Sequence, residues 1–113
     1  MKILLIDPPF MRFMGFYRFF FPYALGALSA YLKQDGHDVL IYDVDHGRTP
    51  VPMTSTDLLN VFHKYLDGIK DLDHPIWKEV ETVMRDFQPD MIGITFLSTK
   101  MGAVQNLIRI AKQ

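Results

Sequence analysis

The residues of this chain that could bind a metal or act as catalytic groups are widely scattered. The four histidines fall at positions 37, 46, 63 and 74, and none is spaced i, i+4 with another as in a helical metal pair. Cysteine is absent, which excludes disulfides, thiolate zinc sites and iron–sulfur ligation within these 113 residues. His46, in the polar stretch 43–47, is interpreted as a turn residue, with a ligand role as the alternative.

The Asp7-Pro8-Pro9 turn directly follows a short apolar run at the start of the chain. A phosphate cradle needs free backbone N–H groups, and proline has none. Neither the dinucleotide-binding fingerprint nor a P-loop fits this turn. A phospho-accepting receiver domain is excluded as well, because Thr95 and Phe96 stand where an acidic acceptor would follow the third strand.

The segment after this turn is unusually aromatic. Within fourteen positions lie eight of the fifteen aromatic residues of the chain: Phe10, Phe13, Phe16, Tyr17, Phe19, Phe20, Phe21 and Tyr23. Arg12 and Arg18 are interleaved with them. Large exposed apolar patches mark ligand or partner surfaces. We expect about half of these rings to pack onto the core, and the others to face a flat apolar ligand or another domain.

The pattern of apolar residues predicts the elements that position this segment. Short continuous apolar runs indicate strands buried on both faces, and apolar residues at i, i+3, i+4 and i+7 indicate helices. The predicted strands cover residues 2–6, 39–42 and 91–96. Four helices are predicted. The first covers residues 22–34, the second runs from a cap within 54–57 to residue 69, the third runs from about 73 to 87, and the fourth forms the last stretch of the chain. Their inward residues include Leu25, Leu28, Leu32, Val104, Leu107, Ile108 and Ala111.

Strands that alternate with helices predict an α/β fold, a doubly wound parallel sheet with strand order 2-1-3. Ligands of such sheets bind beyond the carboxyl ends of the strands, here between strands 1 and 3. We expect residues 1–113 to form a single, partial domain that stops before strands 4 and 5. A small, complete three-stranded domain is the alternative.

The overall composition is that of a globular protein. Hydrophobic residues make up 49% and charged residues 22%, and the formal net charge is −1, so no pull toward nucleic acid or a membrane surface is expected. The first apolar run is too short for a signal peptide or a membrane span. The lack of cysteine suits a reducing compartment, and we expect a cytoplasmic location.

Four sequence blocks share one pattern: MKILLIDPPF at 1–10, PYALGALSAYL at 22–32, GHDV at 36–39 and FQPDMIGIT at 87–95. In this order and spacing the chain resembles the N-terminal cobalamin-binding domain of B12-dependent radical SAM proteins. That group includes the anaerobic magnesium-protoporphyrin ester cyclases and related methyltransferases. The resemblance runs nearly end to end and implies a Rossmann-like domain that holds cobalamin at the carboxyl edge of its sheet.

The resemblance also implies a set of cofactor-binding residues. Relatives of the methionine synthase type carry Asp-x-His-x-x-Gly after strand 1, and their histidine coordinates cobalt. This chain keeps Asp7, but Pro9 replaces the histidine and Arg12 the glycine, so no histidine of this loop would bind the metal. A second motif, Ser-x-Leu, aligns with Thr95-Phe96-Leu97. The implied cofactor-binding residues are Asp7, Pro8, Pro9, Phe10, Thr95, Phe96, Leu97, Ser98 and Thr99.

The function implied is that of a cobalamin-binding module which is not catalytic alone. A radical SAM domain of the same protein, beyond Gln113, would supply a 4Fe-4S cluster and S-adenosylmethionine. The main alternative is a ligand-free Rossmann-like domain that uses the aromatic loop 10–23 as a protein-contact surface. A nucleotide- or sugar-binding transferase domain is a third reading, disfavoured by the Pro-Pro turn. An exposed third strand would also favour a homodimer.

Overall fold

A computed structural model describes residues 1–16, 22–46, 54–95 and 100–113 of the chain. Residues 17–21, 47–53 and 96–99, and the predictions that fall on them, lie outside the described part of the chain. The elements, in chain order, are β1 (Lys2–Asp7), a 3-10 helix (Met11–Met14), α1 (Tyr23–Gln34), β2 (Asp38–Asp43), α2 (Ser55–Lys70), α3 (Pro75–Phe87), β3 (Met91–Ile94) and α4 (Met101–Ala111).

The three strands form one open, all-parallel sheet in the order β2-β1-β3. Ile3 of β1 is level with Val39 on one side and with Met91 on the other. The central strand β1 is buried on both faces, as its uninterrupted apolar sequence requires. The prediction of an α/β fold with strand order 2-1-3 is therefore confirmed, and the topology is compatible with a Rossmann-like fold.

The two faces of the sheet are covered unequally. Leu4 and Ile6 point into the larger core, which contains residues of α2, α3 and α4 and is centred on Trp77. Ile3 and Leu5 point to the opposite face of the sheet, where they form a smaller cluster with Leu25 of α1. The larger core therefore holds most of the buried apolar surface that stabilises the fold.

Local signals fix the ends of the helices. The Thr54 hydroxyl accepts from the N–H of Asp57, and the Asp57 carboxylate accepts from the N–H of Thr54, so a capping box starts α2. His74 caps α3 through its ring nitrogen, with Pro75 in the first turn. Gln88, in the left-handed conformation with φ 51°, ends α3.

Two helix faces differ from the prediction. Leu28 of α1 is 48% exposed and Ile108 of α4 is 43% exposed, although both were predicted to point inward. In α1 the buried residues are Leu25 and Ser29, and in α4 they are Ala103, Val104, Asn106 and Leu107. Periodicity identified the helix correctly but overestimated the width of its buried face.

Candidate ligand-binding edge of the sheet

Three chain segments meet at the carboxyl edge of the sheet through charged side chains. They are the end of β1 with Asp7, the turn after β2 with Asp45, and Lys100 directly before α4. All three side chains are nearly inaccessible to solvent. Burial of three charges is tolerated only when they neutralise and hydrogen-bond one another.

Asp45 organises the loop that follows β1. Its side chain is 1% exposed, and it accepts hydrogen bonds from the backbone N–H groups of Phe10 (2.8 Å), Arg12 (3.1 Å) and Met11 (3.2 Å). Burial raises the pKa of Asp45 above its ordinary value, while these N–H groups and Lys100 act in the opposite direction. The carboxylate thereby joins the strand-2 turn to the 3-10 helix.

Lys100 joins the segment before α4 to the end of β1. Its Nζ donates to Asp7 Oδ1 at 2.9 Å and to the carbonyl of Pro8 at 3.1 Å, and lies 3.8 Å from Asp45 Oδ2. One ammonium group therefore lies between two carboxylates. The edge is held by a buried ionic cluster, which we call the Asp7–Lys100–Asp45 cluster.

Arg12 extends these connections to α3. Its Nη1 donates to the carbonyl of Val44 at 3.2 Å, and its other terminal nitrogen forms an ion pair with Glu79. Tyr42 lies beside this pair; burial, and then the negative charge of Glu79, raise the pKa of its hydroxyl. The tyrosine therefore stays protonated at neutral pH.

Aromatic side chains pack the loop after β1 against α2. The ring centroid of Phe10 lies 4.6 Å from that of Tyr65 and 6.2 Å from that of Phe62. Phe13 is buried against Gly68, whose carbonyl accepts a 2.7 Å hydrogen bond from Trp77 Nε1. These contacts hold the loop in a defined position over α2.

The structure describes four of the eight aromatic rings of the predicted surface, and three of the four pack onto the core. Phe13 is buried, and Phe10 and Phe16 pack partly buried against the larger core. Tyr23, at the start of α1, is 79% exposed. The remaining predicted rings, Tyr17, Phe19, Phe20 and Phe21, lie outside the described residues.

The predicted cofactor-binding residues fall into three groups. Asp7, Pro8 and Pro9 are buried, so they form the floor of the edge and not its surface. Phe10 is half-buried and Thr95 is exposed. Phe96, Leu97, Ser98 and Thr99 lie outside the described residues. The N–H of Thr95 donates to the carbonyl of Ile6 at 3.1 Å, which brings the two predicted segments together.

Sequence reasoning missed the roles of Asp45 and Lys100. Asp45 was treated as part of a polar turn, and Lys100 only as the end of a loop. The available signal was the position of each charge next to a carboxyl strand end, where parallel strands bring their loops together. His46 is exposed and its N–H donates to the carbonyl of Asp43 at 3.1 Å, which confirms a turn position.

The described part of the chain has neither a metal-binding cluster nor a membrane-spanning helix. Within it, histidine, aspartate and glutamate form no group of three that could hold a metal ion. No helix of that part is long and apolar enough to cross a bilayer. Among the predicted cofactor-binding residues that the structure describes, Phe10 and Thr95 are the ones with surface exposed to solvent.

Comparison of the chain with protein-family models, with curated proteins and with solved structures finds no match. The fold and the edge define an α/β domain with an all-parallel sheet whose strand-end loops are joined by buried charges.

Proposed function

We propose that this chain is the cobalamin-binding module of a radical SAM enzyme, with the corrinoid held at the carboxyl edge of the sheet. The support is the likeness of four sequence blocks to that family, in a fold of the class that the likeness implies. The observation that carries the proposal is the hydrogen bond from Thr95 to Ile6. It pairs the end of β1 with the end of β3, so the two segments of the likeness leave the sheet side by side at the edge where parallel α/β sheets bind ligands.

The described residues fit a corrin in part. A corrin ring is large, flat and mostly apolar, and the half-buried ring of Phe10 beside the partly exposed Phe62 offers it an apolar contact. The exposed hydroxyl of Thr95 offers a hydrogen bond to the nucleotide tail. Asp7, Pro8 and Pro9 would support the ligand from below without touching it.

Cobalt would receive no histidine from the strand-1 loop in this proposal. Pro9 occupies the position of the ligating histidine and is buried. His46 is the exposed histidine of the neighbouring strand-2 turn, and its backbone is committed to that turn. We therefore expect no protein nitrogen on the metal from the strand-1 loop, and a turn role for His46 with cobalt ligation by its ring as the alternative.

Catalysis would require a second domain. The 113 residues contain no cysteine, so the 4Fe-4S cluster and S-adenosylmethionine would be bound by a radical SAM domain of the same full-length protein. Cobalamin would serve there in methyl transfer or cyclisation. The proposal includes a cytoplasmic location, where such oxygen-sensitive clusters and reduced thiols persist.

Titration of the purified chain with hydroxocobalamin, followed by equilibrium dialysis and visible spectroscopy, tests the proposal. We expect saturable binding that Thr95→Val weakens by about tenfold, because loss of one ligand hydrogen bond costs about 1 kcal/mol or more. Thr82→Val, on the exposed face of α3, is the matched control and should bind like the wild type.

His46→Ala should leave the visible spectrum of bound cobalamin unchanged. A spectrum that changes in this variant would show a histidine ligand and contradict the ligation stated above. Absence of saturable binding by the full-length protein would contradict the proposal as a whole, since residues 1–113 alone would hold only part of the binding site.

A second candidate is a ligand-free interaction domain that uses the aromatic loop 10–23 as a protein-contact surface. The observation that favours it is the buried Asp7–Lys100 pair, because the aspartate that would face a cofactor is already neutralised inside the protein. The exposed ring of Tyr23 belongs to the same loop. Failure of hydroxocobalamin to bind, together with intact folding, would favour this candidate.

A further inference from the structure

One edge of the sheet is open within the described fold. The edge strand β3 pairs with β1 on one side, and no described strand pairs with its other side. That side presents backbone N–H and C=O groups at the regular spacing of a strand. Another extended strand matches this spacing, so a free edge is a template for strand addition.

The two edges of the sheet differ in charge. The opposite edge strand, β2, begins with Asp38 and ends with Asp43, and charged residues on an edge strand oppose pairing with a second strand. β3 has the sequence Met-Ile-Gly-Ile, with neither a charge nor a proline. The protection that edge strands usually carry is therefore missing from β3.

Apolar side chains are exposed on β3 and on α4. A cavity of about 360 Å³ beside the strand has a mixed lining, in which Ile92 of β3 and Ile110 of α4 lie with the polar residues Glu81, Arg85 and Gln88 of the α3 side. Met91 of β3 is 53% exposed, and Met101 and Ile108 of α4 are exposed as well. A partner at this edge would remove these apolar side chains from water, which favours association.

The sequence of β3 is complementary to itself. If two copies pair antiparallel around Gly93 on a twofold axis perpendicular to the sheet, Ile92 lies opposite Ile94 of the partner subunit. The apolar faces of both sheets then stay aligned. No like charges meet, because β3 carries no charge and a twofold axis at Gly93 places the two copies of Asp90 at opposite ends of the paired strands.

We propose that the free edge of β3 docks a second copy of this chain and forms a homodimer with a continuous sheet of both copies' strands. Pairing of four-residue strands alone buries less than the roughly 1,000 Å² of a stable interface, so the dimer also needs apolar side chains outside the strand, for which the exposed Met101 and Ile108 of α4 are the candidates. We expect a dissociation constant of about 10 µM. The dimer and the proposed function are distinguishable, because a fourth strand in a longer protein would occupy the same edge and prevent the dimer, whereas hydroxocobalamin binding would persist.

Sedimentation velocity of the purified chain, from about 1 to 200 µM, measures this association. Met91→Lys places a charge on an exposed β3 side chain and should weaken the dimer at least tenfold. Leu40→Lys is the matched control, since Leu40 is a partly exposed apolar residue of the opposite edge strand. Circular dichroism verifies that both variants fold.

Hydrogen exchange at the amides of residues 91–94 provides the second measurement. Exchange should slow as the protein concentration rises through the dissociation constant, because pairing removes edge N–H groups from water. A wild-type chain that stays monomeric at the highest concentration overturns the proposal. A dimer that Met91→Lys leaves intact also overturns the proposal. The same holds if the wild type stays monomeric while binding a synthetic peptide of residues 90–95 at this edge.

Discussion

At the scale of single residues, buried charged side chains hold the loops at the carboxyl edge of the sheet in place. Lys100 neutralises Asp7 at 2.9 Å and lies near Asp45, and each of the three is less than a tenth exposed. The attraction within such a cluster roughly offsets the cost of burying it. The cluster therefore fixes the positions of three loops more than it adds to the net stability of the fold.

Lys100→Met should leave Asp7 as a buried charge without its cation. We expect the free energy of unfolding to fall by about 3–5 kcal/mol, the usual cost of removing one partner of a buried pair. Urea denaturation measures the change. The double variant Asp7→Asn/Lys100→Met should recover most of the loss. Arg85→Met, which removes the exposed ion pair with Glu81, is the control and should cost no more than about 1 kcal/mol.

The raised pKa of Asp45 makes one contribution to stability depend on pH. A folded-state pKa above the unfolded value gives stability that is complete below the unfolded pKa, about 3.9, and is lost as pH rises through the folded pKa. Asp45→Asn lacks this titration. The unfolding free energy of the wild type, relative to Asp45→Asn, should fall as pH rises from about 4 to 7 in urea titrations. A difference that is flat or rises over this range would contradict the assignment.

At the scale of elements, the contact between the 3-10 helix and α2 positions the loop after β1. Gly68 is the point of closest approach, because a Cβ atom there would overlap the ring of Phe13. The same residue accepts the indole hydrogen bond of Trp77, so α2, α3 and the 3-10 helix meet at one backbone position. Shape at this point, and not only hydrophobicity, determines how the elements pack.

Gly68→Ala should therefore destabilise the protein, although alanine favours helices. We expect a loss of about 1–3 kcal/mol from overpacking against Phe13. Thermal and urea denaturation measure the loss. Phe13→Leu in the same chain should relieve part of it, which separates steric overlap from a backbone effect. Asn60→Ala, at an exposed position of α2, is the control and should be neutral or slightly stabilising.

At the scale of the whole molecule, one core cluster connects most of the elements. It includes Leu4 of β1, Tyr65 of α2, Trp77 and Val80 of α3, and Leu107 of α4. The opposite face of the sheet has the smaller cluster with α1. Elements that share one core unfold together in small domains.

The single tryptophan reports on this cooperativity. Trp77 is 1% exposed, so its fluorescence should shift to longer wavelength when the larger core opens. We expect the urea transition followed by this fluorescence to coincide with that followed by far-ultraviolet circular dichroism. An earlier loss of helix signal would mean that α1, on the other face, unfolds separately.

Much of the architecture was determined by the sequence itself. The apolar run before Asp7-Pro8-Pro9, the capping signals at Thr54 and Pro75, and the alternation of strand and helix patterns predict the elements and the parallel sheet. These features are local, since each depends on residues close in the chain. Local periodicity also located the carboxyl edge, because the order of parallel strands restricts where their loops can meet.

The tertiary structure alone decided which side chains face that edge. Asp7, which the resemblance assigns to the cofactor site, is paired with a lysine 93 positions away. Asp45 binds backbone groups 33 to 35 residues earlier. Such pairings depend on how distant loops approach in space, and burial of a charge is settled by its partners there. Sequence patterns place these charges in loops at the sheet edge, but only the folded arrangement of those loops decides which charges and backbone groups pair.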